Sequence, residues 1–384
     1  MQIKLPETQG SNYWETRVLA LAHNAIDMSV DHTEFNCPPK LTELASTFIR
    51  ENYNNISPNE GILPLRERIS DIYRINYGKT YDPLKEITIC AGTVQAATTV
   101  ITTLVNEGDE VILFDPSEFT YSQAVRLNGG MPVYLPLKEP GFRIDWEDMR
   151  KMITSKTRLI ILNSPHNPTG NVLKKEDLLQ LQRLTQGTGI YILSDESFEY
   201  LVYDQEKHQS VAQFSSLATR SFIISSAGAV FHINGWSLAW CLAPENLMKE
   251  FRKVHENFGF SVSTPLQHAL SAYWEEAEDI SGITESYQGK RNYFNRLLKD
   301  SPYIVVPTSG TYFQLINYRN ISQESDTDFV RRLIVEAGVA ATPLSVFMQK
   351  KRNSHYLRFC FARKNETLEE AARRLISFAN KLKS

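Results

Sequence analysis

The chain has 384 residues, of which 42% are hydrophobic and 22% charged, enough for a large buried core in two or three lobes. With 41 Lys and Arg against 44 Asp and Glu, the formal net charge is -3, which gives no electrostatic case for nucleic acid or an anionic membrane. No apolar run approaches the ~20 residues of a membrane span, and the first residues carry no apolar leader. Cys37, Cys90, Cys241 and Cys360 form no CxxC pair, so free buried thiols in a cytoplasmic protein are expected.

Residues 1–45 read as an irregular N-terminal arm. From 46 to 283, apolar β-rich runs alternate with helical patterns. The strand candidates are 86–90, 110–116, 132–137, 158–163, 191–194, 222–226 and 238–243, with helices at 93–105, 175–185 and 247–255 among them. Most strand runs are apolar throughout rather than alternating, as expected when helices cover both faces of a sheet. A large α/β domain with a mainly parallel, seven-stranded sheet follows from that order. Residues 284–384 read as a smaller α+β domain, with a helix at 284–299 and strands at 304–306, 311–316 and 356–361. It closes with a helix at 367–382 whose Leu368, Ala371, Ala372, Leu375, Phe378 and Leu382 share one face.

Several positions carry chemistry on their own account. Gly92 ends a strand and opens a helix, so the N–H groups of Thr93 and Val94 are placed to meet an anion. Asp195 ends a buried strand, where a carboxylate needs a cationic or protonated partner. Arg358 offers a fork matched to a carboxylate. Glu118 and Asp195, if close in an apolar pocket, either share a proton or bind a cation. His32, His166 and His232 lack ligand spacing, and no metal is expected.

Asn163-Ser164-Pro165-His166-Asn167-Pro168-Thr169-Gly170 resembles the NxxxNPTG turn of class I/II aminotransferases of pyridoxal phosphate (PLP) fold type I. Ser194-Asp195-Glu196-Ser197-Phe198, Cys90-Ala91-Gly92-Thr93, Phe114-Asp115-Pro116-Ser117 and Leu357-Arg358-Phe359 resemble further landmarks of that family, in the same order. His232, Gly235-Trp236 and Gly310-Thr311-Tyr312-Phe313 are similar to its methionine and kynurenine aminotransferase branch. The resemblance implies an aspartate-aminotransferase-like fold and a homodimer. It places Gly92, Thr93, Val94 and Ser237 toward the cofactor phosphate, and Phe198, Ser226 and Ala229 among the other cofactor-binding positions. Asp195 falls on the pyridine nitrogen and Asn167 on the ring hydroxyl. Arg358 falls on the α-carboxylate of an amino acid or 2-oxo acid.

Against that pattern the chain departs at six positions. Ala229 stands where the resemblance places the Schiff-base lysine, and Ser237 where it places a cation on the phosphate. Ile56 and Phe198 replace tyrosines, Glu118 replaces the ring-stacking aromatic, and Asp31 replaces a glycine of the substrate-contacting turn. The expectation drawn from these losses is a protein without ordinary PLP-dependent transamination and without a cofactor. It would bind an amino-acid-like ligand through Arg358, Asp31 and Asn167, as a binding protein or as an enzyme using Glu118 or Asp195 as general acid or base. The alternative is a transaminase that works without the lysine and holds PLP or pyridoxamine phosphate (PMP) non-covalently, with another base such as His232.

Overall fold

The computed structural model describes residues 11–259, 261–276, 281–350 and 352–383, so the first ten residues of the expected arm lie outside it. The large sheet has seven strands: β1 (Ile87–Ala91), β2 (Glu110–Asp115), β3 (Met131–Pro136), β4 (Thr157–Asn163), β5 (Tyr191–Asp195), β6 (Ser221–Ser226) and β7 (Leu238–Leu242). Their order is β1-β7-β6-β5-β4-β2-β3, and only β7 runs against its neighbours. Both faces are buried. Ile112, Ile160, Leu162, Ile192 and Trp240 enter one core, while Val111, Leu113, Leu159, Ile161 and Phe222 enter the other. Because successive side chains point to opposite faces, two buried faces require a run that is apolar at every position, which is the pattern the sequence carries.

A second, antiparallel sheet of β8 (Ile304–Val305), β9 (Phe313–Asn317), β10 (Thr342–Pro343) and β11 (Tyr356–Cys360) has the order β10-β11-β9-β8. The closing helix Asn365–Lys383 buries Leu368, Ala371, Ala372, Leu375 and Phe378 against it.

The segment read as an irregular arm is instead largely helical. Ser11–Ala22 and Pro39–Arg50 are helices, and Ile26–Asp27 pairs in parallel with Val339–Ala340. Proline at the first helical position and buried Leu41 and Ala45 one turn apart explain the second helix. The backbone between the helices is tied to the smaller sheet, since Cys360 N donates to Met28 O at 2.8 Å and Glu34 N to Ala362 O at 2.9 Å. That link brings Asp31 to Arg358. Among the described residues, no helix is long and apolar enough to cross a membrane.

The two sheets meet at the turn after β4. Ser309 N and Gly310 N both donate to Gly170 O, at 3.1 and 2.9 Å. Gly170 sits at φ +69°, and a Cβ there would come within 1.5 Å of Thr308 Oγ1. Only glycine allows this approach.

Candidate active site

A cleft of about 460 Å³ opens between the strand ends of the large sheet and the smaller sheet. At one end, β1 turns through Gly92 at φ +88° into the helix Thr93–Leu104. No side chain caps this helix, so the first N–H groups, at Thr93 and Val94, face the cleft that both residues line. Ser226 at the end of β6 and Ser237 just before β7 line the same end. Ser226 Oγ accepts a 3.1 Å hydrogen bond from Gly228 N. Ala229 lies in the single helical turn Gly228–Phe231, lines the cleft, and is 5% exposed. Among the described residues, no lysine or arginine lines the cleft.

Asp195 closes β5 with its carboxylate in the cleft. Oδ2 accepts from Tyr121 Oη at 2.5 Å. Oδ1 accepts from Ser197 N at 3.0 Å and from Ser197 Oγ. Burial pushes the Asp195 carboxyl up, and the hydrogen bonds from Ser197 and Tyr121 pull against that rise. Asn163 braces the same strand end. Its Nδ2 donates to Asp195 O at 3.0 Å, and its Oδ1 accepts from Asn167 N at 2.7 Å, which locks the turn that carries Asn167.

Arg358, on β11, is fully buried between two rings, with Cζ 4.0 Å from the Phe313 centroid and 4.7 Å from that of Phe347. Its guanidinium is not the open fork expected. One terminal nitrogen donates to the Asp31 carboxylate and to Ser29 O at 3.2 Å, and the other to Asn167 Oδ1 at 2.6 Å. Nε is buried without a partner. Asn167 then donates from Nδ2 to Glu118 Oε2 at 3.3 Å, so its amide bridges Arg358 and Glu118. Burial, with Asp31 and then Asp195 adding to it and Arg358 opposing, pushes the Glu118 carboxyl up to about 7.

The structure therefore brings Asp31, Gly92, Thr93, Val94, Glu118, Asn167, Asp195, Phe198, Ser226, Ala229 and Ser237 to one cleft, with Arg358 just beneath it. Phe198 packs edge-on to Tyr312, ring centroids 5.2 Å apart. Ile56 is 70% exposed and His232 turns away, and neither lines the cleft. His232 Nδ1 lies 3.1 Å from Tyr287 Oη and its ring 5.4 Å from that of Phe35, so it is a packed histidine and not the base of the cleft. Among the described residues, no group of three or more His, Cys, Asp or Glu is arranged to hold a metal ion.

Sequence reasoning missed Tyr121, Ser197, Asn234 and Tyr312. Tyr121 had a signal: it lies three positions after Glu118 at a helix start, which puts both on one face. Tyr312 sits in a quoted family landmark, but its contact and that of Asn234 had no local signal, because each acts on a backbone atom distant in sequence, Asp31 O.

Residues 16–375 match the family model "Aminotransferase class I and II". The chain belongs to that family. It is 37% identical to a methionine aminotransferase of Escherichia coli (strain K12), over 97% of each chain. It is 30% identical to a probable N-succinyldiaminopimelate aminotransferase of Mycobacterium tuberculosis, over 96% of each. The solved structure of YbdL from Escherichia coli, reported with a methionine aminotransferase function, covers 98% of this chain and 99% of its own. Its TM-score is 0.95 at 36% identity. The fold is thus the PLP fold type I fold that the motifs implied.

These relatives overturn two expectations. Relatives spanning the whole chain at 30% identity or more bear the names of aminotransferases, a family whose members use PLP. The reading of a protein without transamination, and of a cleft without a cofactor, does not stand against them. It gave each lost side chain full weight and gave too little to the retained frame. The uncapped helix after Gly92 offers N–H donors to a phosphate, and Asp195 offers a held carboxylate to a pyridine nitrogen. A Cβ at Gly92 would stand in ordinary contact with Ser237, 3.7 Å from its Cβ. These residues fit a non-covalently held PLP or PMP, while Ala229 offers no amine for a covalent link.

Proposed function

We propose that this protein moves an amino group between a small-molecule amine and a carbonyl acceptor, with PLP and PMP held without a bond to the chain. The observation that carries this reading is the Asp195 carboxylate, buried at the end of β5 and fixed by Tyr121 and Ser197, in the same cleft as the uncapped helix at Gly92. In this reading residues 46–283 form the cofactor-bearing domain, and residues 284–384 with the arm 1–45 form the smaller one that supplies Arg358. A homodimer in the cytoplasm is part of the same proposal.

When bound, the cofactor supplies an electron sink that stabilises charge at the carbon giving up its proton. Asp195 would hold a proton at the ring nitrogen, because its carboxylate stays oriented by three donors from the chain. Backbone N–H groups of Thr93 and Val94, with the Ser226 and Ser237 hydroxyls, would hold the phosphate without a cation. Glu118, which lines the cleft, would carry the proton at the reacting carbon. Its carboxyl titrates near neutral pH, so it can both take and return a proton. Asn167, pinned by Asn163 and Arg358, keeps the Glu118 carboxylate in one orientation. Phe198 and Tyr312 form an apolar wall that excludes water.

The test is titration calorimetry with PMP, followed by mixing the PMP-loaded protein with carbonyl compounds and following the absorbance change as PMP becomes PLP. Saturable PMP binding and conversion are expected. Glu118→Gln should keep the binding and slow the conversion by about 100-fold or more. No saturable binding of PMP would end this reading.

A further inference from the structure

We propose that Asp31 determines the specificity of this cleft: by holding the buried Arg358 guanidinium it takes the seat a substrate carboxylate would need, so the cleft accepts a primary ammonium compound with no carboxylate on the amine-bearing carbon. The inference deepens the transaminase reading by naming its substrate class.

Both terminal nitrogens and both faces of Arg358 are occupied, and its unpartnered Nε is buried. Its terminal nitrogens hold Asp31, Ser29 O and Asn167, its two faces lie on Phe313 and Phe347, and Nε is sealed from solvent. A carboxylate entering the cleft finds no free donor pair on this residue. It would have to displace Asp31, and that displacement is resisted. The Asp31 carbonyl is pinned by Asn234 Nδ2 at 2.9 Å and Tyr312 Oη at 2.7 Å, which fixes the backbone that aims its side chain. A displaced Asp31 would also leave two carboxylates, its own and the ligand's, beside Glu118.

The charge balance points the same way. Asp31, Glu118 and Asp195 face one cleft that no lysine or arginine lines among the described residues, and the one guanidinium beneath it is spent on Asp31. The Asp31 side chain is 47% exposed, and it lines the same cleft as Glu118, whose carboxyl its charge pushes up. A single ammonium group can bridge these two acids, as opposite charges in a partly desolvated site attract strongly.

Butylamine and 2-aminopentanoate test this, since they differ only by the carboxylate on the amine-bearing carbon. Each is titrated calorimetrically into the cofactor-free protein, into Asp31→Gly, and into Asp31→Asn as a variant that preserves side-chain shape. The native protein should bind butylamine at least tenfold more tightly than 2-aminopentanoate. Asp31→Gly should reverse that preference, and Asp31→Asn should weaken butylamine binding. A native preference for the amino acid, an unchanged preference in Asp31→Gly, or undetectable butylamine binding at its highest usable concentration would each overturn the proposal. PMP binding is scored separately. If PMP fails to bind while the amine preference holds, the transaminase reading falls and the role of Asp31 stands.

Discussion

Replacing Asp195 with Asn tests whether this carboxylate carries cofactor binding. The change removes one negative charge and keeps the side-chain volume. Asp195 presents two oxygens to three donors: Tyr121 Oη at 2.5 Å on one, Ser197 N at 3.0 Å and Ser197 Oγ on the other. An amide has only one oxygen, so at least one of these donors faces an NH2 group. The cost to folding is about 1–3 kcal/mol, the penalty for an unmet buried donor. The cost to PMP is separate. A hydrogen bond to a charged group is worth about 1.5–3 kcal/mol, which corresponds to a loss of roughly tenfold to more than 100-fold in affinity. Calorimetry on the variant measures the second and urea unfolding the first. If the variant folds and binds PMP within about threefold of the native protein, Asp195 does not meet the pyridine nitrogen and the mechanism built on it is wrong.

Three further outcomes are expected. Ala229→Lys should allow PLP to be fixed at residue 229 by borohydride, seen by peptide mass, while the native protein shows no adduct there; an adduct at another lysine of the native cleft would contradict the described lining. Gly170→Ala should destabilise by at least about 2 kcal/mol in urea unfolding, because a left-handed backbone and a collision with Thr308 act together. Glu199, fully enclosed below β6, accepts from Ser225 Oγ and Tyr77 Oη, with His208 and Glu196 nearby, and burial pushes its carboxyl up to about 7. A folded carboxyl raised above its ordinary range binds protons more tightly in the folded state, so stability falls as pH rises from about 4.5 to 7. Glu199→Gln should remove that part of the slope between unfolding curves taken at pH 5 and pH 8, and an undiminished slope would rule it out.

The sequence by itself determined the seven strands of the large sheet and their mainly parallel character, because strands buried on both faces must be apolar at every position, and β4 and β5 are such runs; the order of the strands in space, and the short strand Thr342–Pro343, came only with the fold. It also determined the local chemistry of the cleft. Asp195 at a strand end, Gly92 before a helix and the methyl of Ala229 are each legible from a few neighbouring residues. The N-terminal segment was less legible, since its first helix has weak periodicity and its two-residue strand forms only by pairing with Val339–Ala340. Only the tertiary structure decided the electrostatics. Asp31 and Arg358 both read as substrate-facing groups, yet they stand 327 positions apart in the chain and neutralise each other in the fold. The worth of a charge depends on the distance to its partner and on the water excluded around both, and neither quantity is written in the order of residues.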